Sequence, residues 1–268
     1  MGIFDRSQTM KNIRRARGAK DAASQRTLYV SASASEILTD YLQDRGYELR
    51  ILQRAGCVSA PVSDHPDMFM CKLGASEGKI VMWNGAELAD PYEGGTTRAS
   101  EFAWQESVTN VLVSYHDPLM RYPRDIAYNA ACTGRFLIHN LKYTAPLIIE
   151  EAEKAKMKLI DVPQGYAKCS TVVLDKNSII TYDKGIADKC RECDGPKVLL
   201  VSPGHVRLEG YNTGFIGGAS GRVGDEIVFS GDLSAHPDFP AIVQFIEERG
   251  LKCKWFPEFP LTDIGSII

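Results

Sequence analysis

Three local patterns carry residue types that could do chemistry. Cys190-Arg-Glu-Cys193 has the C-x-x-C spacing of zinc and redox sites. A structural zinc needs a second ligand pair, and the other cysteines are isolated. A redox pair opens a helix after a strand, whereas this one falls in the last turn before Asp194-Gly195-Pro196. Two ordinary reduced thiols are expected. Two His-Pro-Asp tripeptides occur, at 65–67 and 236–238. Asp238 stands where a helix N-cap would satisfy free N–H groups, so His236 needs no ligand role. His65 and Asp67 instead open a hairpin, and functional use of that pair is expected; no local ligand spacing supports a metal there. Gly214-Phe-Ile-Gly-Gly-Ala-Ser-Gly221 is dense in glycine but lacks the Lys-Ser/Thr ending and the following helix of a phosphate loop. It reads as a tight bend between hairpin strands.

These groups must be positioned by a recurring set of elements. Thr27-Leu-Tyr-Val-Ser reads as a strand, Ser35 caps a helix running to about Arg45, Gly46 stops it, and Tyr47 to Leu52 reads as a second strand. Four hairpins follow: Phe69–Leu73 into Lys79–Trp83, Ile126–Cys132 into Arg135–Ile138, Ser170–Leu174 into Ser178–Thr181, and Gly214–Ile216 into Glu226–Phe229. Behind three of them come a helix and a further strand: Thr144 to Met157 then Lys158–Val162, Lys184 to Cys193 then Lys197–Val201, and Asp238 to Glu248 then Leu251–Trp255. The unit is ββαβ. Tyr122, Tyr166 and Tyr211 mark hairpin entries 44 and 45 residues apart, a period that signals an array of similar units. Residues 85–121 form a longer Gly-rich excursion within the first hairpin unit. Strands remain over at the two ends, Thr27–Ser31 and Asp263–Ile268. Pairing them completes a fifth unit and removes two sheet edges. A WD-type propeller has no helix in its blades, and a doubly wound α/β domain would not need paired hairpins. Trp83, Trp104 and Trp255 read as core.

With that pattern in place, a set of motifs is similar to an uncharacterised family of the pentein superfamily. It comprises His65-Pro-Asp-Met, Tyr122-Pro-Arg-Asp-Ile-Ala-Tyr-Asn129, Gln164-Gly-Tyr-Ala-Lys-Cys-Ser170, Gly210-Tyr-Asn-Thr-Gly-Phe-Ile-Gly-Gly218 and Asp263-Ile-Gly-Ser266. The resemblance implies a five-bladed, pseudo-symmetric α/β propeller of ββαβ units, closed by the N- and C-terminal strands over 27–268, with residues 1–26 as a basic tail. Superfamily members modify guanidino groups with a Cys near the C-terminus, an acid-base His and carboxylates that grip the cation; others are non-catalytic. This sequence departs at both reactive positions. No cysteine follows Cys253, and Tyr166 stands where the His is expected, while Lys168 matches.

In such a ring equivalent hairpin entries converge, so His65, Asp67, Asp125, Asn129 and Asp263 are expected to bind substrate around a central channel, with Lys168, Cys169 and Tyr166 as the catalytic candidates. A cation beside Cys169 would lower its thiol pKa and make it a nucleophile, although strand alternation opposes both Lys168 and Cys169 facing one channel. Two functions stay open: a binder of a small cationic, guanidino-type ligand with hydrolase or transferase chemistry on C–N bonds, or a non-catalytic binding module.

Composition bounds the rest. The 268 residues are 44% hydrophobic with a formal net charge of −3, enough for a substantial core and unsuited to nucleic acid as the main partner. The first 26 residues hold seven of the 31 Lys and Arg but two of the 34 Asp and Glu, so the body is acidic. No apolar run reaches membrane-spanning length, and residues 1–26 lack the apolar stretch of a secretory signal. Seven cysteines at scattered spacing favour reduced thiols. A cytoplasmic protein with no cofactor and no membrane partner is expected.

Overall fold

The computed structural model describes residues 27–76, 78–90, 95–102 and 110–268. The basic segment 1–26 and Trp104 lie outside the described residues.

The chain opens as its propensities dictate. Strand β1 (Thr27–Ser31) leads to helix α1 (Glu36–Asp44), where the Ser35 hydroxyl accepts the Ile37 N–H. Leu38 and Leu42, one turn apart, are fully buried, each contributing roughly 2 kcal/mol. After Gly46 the chain returns as β2 (Glu48–Leu52), parallel to β1.

Four ββαβ units share one strand order, an antiparallel pair followed by a parallel strand. In the first, β3 (Met70–Lys72) pairs antiparallel with β4 (Ile80–Trp83). A long excursion then adds β5 (Glu87–Ala89) and β6 (Thr96–Arg98) to the β1–β2 sheet, passes through α2 (Ala99–Phe102), and returns as β7 (Val111–Ser114), parallel to β4. The next units are compact. Strands β8 (Ala131–Cys132) and β9 (Phe136–His139) are antiparallel, and α3 (Pro146–Lys154) carries the chain to β10 (Lys158–Asp161), parallel to β9. The pattern repeats through β11 (Thr171–Asp175), β12 (Ser178–Thr181), α4 (Lys184–Glu192) and β13 (Lys197–Leu200). It repeats again through β14 (Ser220–Val223), β15 (Glu226–Phe229), α5 (Phe239–Glu247) and β16 (Lys252–Lys254). The described residues thus form a mixed α/β structure with five small sheets. None of the described helices is long and apolar enough to cross a membrane.

The C-terminal residues find partners at both ends of the sheet set. Tyr29 and Ile268 exchange both backbone hydrogen bonds (2.8 and 3.1 Å), as an antiparallel pair does. Ile267 N–H donates to Ser220 O, and Ser266 N–H to Gly218 O. Apolar cores lie between sheets: Leu28, Val30 and Leu49 meet Val223 and Val228, while Tyr29 and Leu52 meet Met70 and Met82.

Two expected strands are corrected. Residues 126–130 are turns, because Asn129 N–H bonds back to Ile126 O at 2.9 Å, and β8 is left with two residues. Residues 214–219 also turn, so the hairpin strand begins at Ser220 and its bend is at Gly224, with φ +60°. Gly218 serves close approach instead, since a Cβ there would lie 2.0 Å from Asp263 Oδ1. Trp83 stacks on Phe69 and Trp255 meets Phe239 edge-on, as core residues.

Candidate functional site

Residues 167–170 are a turn before β11 begins, so strand alternation does not apply to them. Lys168 and Cys169, adjacent in sequence, reach one cluster. Lys168 Nζ donates to Ser266 Oγ at 2.7 Å and to Gly217 O at 3.3 Å. The Cys169 thiol donates to Asp67 Oδ2 at 3.2 Å, and Ser266 Oγ donates to the same oxygen at 2.7 Å. Asp67 enters from the tight turn Pro66–Met68, and its N–H is fixed on Gly265 O at 3.0 Å. Ser266 holds its hydroxyl there with a left-handed backbone, φ +72°, uncommon for a residue with a side chain.

Asn129, fully buried, braces this cluster. Its Nδ2 donates to Asp67 O (3.1 Å) and Cys169 Sγ (3.0 Å), while its Oδ1 accepts the N–H groups of Lys168 (3.0 Å) and Cys169 (3.1 Å). With both ends of the amide engaged, Asn129 positions the cluster and has little left to offer a ligand.

The electrostatics are set by burial. Loss of water pushes the Cys169 thiol well up, and the facing carboxylates of Asp67 and Asp263 push the same way. The neighbour that would have made a thiolate is thus outweighed. Burial also lowers the Lys168 ammonium, against the pull of Asp67.

Two flanks complete the site. On one, Tyr166 donates to Asp125 Oδ2 at 2.7 Å, and burial together with that bond pushes the phenol up, which keeps it a donor. Tyr166 packs between Tyr122 (5.8 Å between centroids) and Phe215 (6.0 Å). On the other flank, His65 Nδ1 lies 3.7 Å from Asp263 Oδ1. Asp263 accepts the N–H groups of Phe215 and Gly265, both at 3.0 Å. Burial nevertheless raises its pKa to about 6, against His65, which lowers it. Gly265 has φ +69°, and a Cβ there would fall 2.1 Å from His65 Cβ, so only glycine allows this approach. Among the described residues, His65 Nδ1, Asp67 Oδ1 and Asp125 Oδ1 are buried with no hydrogen-bond partner.

Space lies beside this cluster, not through it. The hollow between the sheets has a volume of about 30 Å³, room for about one water, walled by apolar residues such as Met70, Cys71, Val173 and Ile267 together with Lys72, Lys168 and Arg222. A cleft of about 530 Å³ opens instead over His65 and Asp263. Its floor is buried: Asp64, His65 and Asp263 are 2, 2 and 3% exposed. Its rim, Arg54, Arg207 and Glu209, is exposed. Asp64, which sequence reasoning missed, is held by the hydroxyls of Ser31 (3.0 Å) and Ser33 (2.5 Å). Ser266 was not among the candidate residues either, although the terminal motif Asp263-Ile-Gly-Ser266 contains it.

The remaining motifs lie elsewhere. Asp238 sits at the start of α5, but its carboxylate accepts the Ser202 N–H at 2.6 Å and makes no cap bond, because that loop competes for it. His236 Nδ1 accepts the Asp238 N–H and its Nε2 donates to Ser202 O. Cys190 is buried and Cys193 half-buried, both as free thiols. No metal-holding group of His, Cys, Asp and Glu occurs among the described residues.

A family model described as "Family of unknown function (DUF6873)" matches residues 29–268. No curated protein matches the chain. Among solved structures the chain is similar to C. jejuni agmatine deiminase, at 8% sequence identity and a TM-score of 0.44, covering 86% of this chain and 87% of that one.

Proposed function

The chain belongs to the family of unknown function DUF6873, and on that footing we propose that it binds a small cationic ligand of guanidino type in the cleft over His65 and Asp263. The observation that carries this reading is the floor of the cleft. A buried carboxylate lies 3.7 Å from a buried histidine nitrogen that has no hydrogen-bond partner among the described residues. The carboxylate accepts, His65 Nδ1 accepts in the neutral form protonated at Nε2, and a guanidinium offers five donors and nothing else. Behind the floor Asp67 and Asp263 act on each other and on one ammonium, Lys168, so two carboxylates face a single lysine there and favour a cation.

The fold reading goes with it. We take the five sheets as a closed pseudo-symmetric α/β propeller of pentein type, one domain over residues 27–268. Its supports are the repeated antiparallel-then-parallel strand order, the cores between sheets and the Tyr29–Ile268 pairing. Closure brings hairpin entries from different units to one end, where the cleft lies.

A second reading is a C–N bond hydrolase in which Cys169 attacks, Asp67 takes the thiol proton across 3.2 Å, and Tyr166 and Lys168 serve the leaving amine. The contact between thiol and carboxylate favours it. Burial of that thiol works against it, so binding is the function concluded.

Calorimetry and thermal melting with agmatine, arginine and methylarginines test the proposal. A ligand that binds only the folded state at 100 times its Kd adds about 2.7 kcal/mol of stability. Binding strengthens as pH rises through about 6, where Asp263 loses its proton, and Asp263→Asn removes that dependence. For the protein without ligand the sign is opposite: the raised Asp263 pKa favours the fold at low pH, and this contribution is lost as pH rises through about 6. No melting shift with any of these cations at millimolar concentration refutes the proposal.

A further inference from the structure

Ser266 carries a hydroxyl that is fully buried and does not line the cleft over His65 and Asp263. A nucleophile shut off from solvent meets carbonyl carbons of its own chain, and that of Gly265 is bonded to the Ser266 nitrogen. Oγ is joined to this carbon through Cβ, Cα and N, so attack closes a five-membered ring. The surroundings suit such an attack. Ser266 Oγ donates to Asp67 Oδ2 at 2.7 Å, the reach of a general base. Lys168 Nζ donates to the same Oγ at 2.7 Å, a cation where negative charge develops. The carbonyl is gripped as well, because Gly265 O accepts the Asp67 N–H at 3.0 Å, a contact that stabilises an oxyanion as it forms. Asp67 thus addresses both partners, its carboxylate the hydroxyl and its amide the carbonyl. Competing contacts are longer: Gly217 O lies 3.0 Å from Ser266 Oγ, and the Cys169 thiol shares Asp67 Oδ2 at 3.2 Å. The bond between the two residues is also strained. Gly265 has φ +69° and Ser266 φ +72°, the second in a region that a residue with a Cβ seldom occupies and that marks functional sites when it does.

We infer that the chain cleaves its own Gly265–Ser266 bond by an N-to-O acyl shift. Ser266 Oγ bonds to the Gly265 carbonyl carbon while its proton passes to Asp67. The C–N bond then breaks with its electron pair on the Ser266 nitrogen, which takes up that proton and leaves as an amine. Water hydrolyses the ester that remains: the water oxygen ends in the Gly265 carboxylate, and Oγ recovers a proton. The hollow of about 30 Å³, walled in part by Lys168 and Ile267, has room for that one water. The reaction needs no ligand and is independent of the cation-binding reading. The severed segment stays seated, since Ile267 N–H donates to Ser220 O and Ile268 exchanges hydrogen bonds with Tyr29. Cleavage therefore shows only once the protein is denatured.

Denaturing intact-mass spectrometry of the full chain, kept folded at pH 8 for several days, tests this. The expected result is a chain ending at Gly265 and a peptide Ser266–Ile268, formed at a fractional rate that does not change with protein concentration. Hydroxylamine, which captures esters, should speed the loss of intact chain and leave a hydroxamate on Gly265. Ser266→Gly lacks the hydroxyl and suits the positive φ, so it should fold and stay intact. Asp67→Asn, held well below its melting temperature, should slow cleavage by about a hundredfold or more. Full mass retained by the unaltered protein, with and without hydroxylamine, overturns the inference. Cleavage of Ser266→Gly at the unaltered rate overturns it as well, because the hydroxyl then plays no part.

Discussion

Asp67→Asn is the most informative single substitution, because it keeps the shape of the side chain and removes one charge from a fully buried cluster. In the native protein Asp67 Oδ2 accepts two side-chain hydrogen bonds, from Ser266 Oγ at 2.7 Å and Cys169 Sγ at 3.2 Å, and its charge holds up the buried Lys168 ammonium. Hydrogen bonds to a charged group contribute about 1.5–3 kcal/mol each and neutral ones about 0.5–1.5. Neutralising the acceptor therefore costs on the order of 2 kcal/mol in hydrogen bonding, and the isolated Lys168 charge brings the total to roughly 3–4 kcal/mol. For a domain of this size that lowers Tm by roughly 6–15 °C. Lys168→Met, which keeps the aliphatic stem, should cost a similar amount by leaving Asp67 without its cation. The double variant is the decisive measurement. With both charges gone neither is stranded, so it should be less destabilised than the sum of the two single changes by roughly 1–3 kcal/mol in urea unfolding. Additivity to within about 0.5 kcal/mol would refute the claim that the cluster is held together by opposed charge.

Two further outcomes follow from other buried groups. His139 is enclosed between Thr144 Oγ1 (2.7 Å) and Gly165 O (2.8 Å), and burial lowers its pKa to about 4. A depressed histidine contributes stability that is present above its unfolded value of about 6.5 and lost as pH falls through 4. The urea midpoint should therefore drop between pH 7 and 4, and His139→Gln should flatten that limb; an unchanged pH profile would show that His139 does not carry it. Among the cysteines, half-buried Cys57 and Cys193 should be alkylated first in the native protein at pH 8, while buried Cys71, Cys132 and Cys169 react only on unfolding. Peptide mass mapping with iodoacetamide reads this directly, and rapid native labelling of Cys169 would revive the nucleophile reading.

Much of the backbone was legible in the chain itself. Alternating apolar runs, Ser35 as a cap, Gly46 as a stop and the 44- and 45-residue spacing of the tyrosines located the sheets and the four longer helices, because those signals are local. The misjudged segments, 126–130 and 214–216, are apolar enough to read as strand. Their turns are fixed by distant partners, Asn129 by Asp67 and Cys169, and Gly218 by Asp263.

The site divides along the same line. The sequence determined which residue types stand at hairpin entries, and so put His65, Asp67, Asp125, Tyr166, Lys168 and Asp263 on the page as candidates. Only the tertiary structure decided what each became. It narrowed the hollow between the sheets to about 30 Å³ and opened a wider cleft to one side. It set Asp67 against a thiol and a serine hydroxyl from segments 102 and 199 residues away, which no local pattern encodes. The physical reason is that the charge state of a side chain depends on burial and on neighbours within a few ångströms, and here those neighbours come from remote parts of the chain.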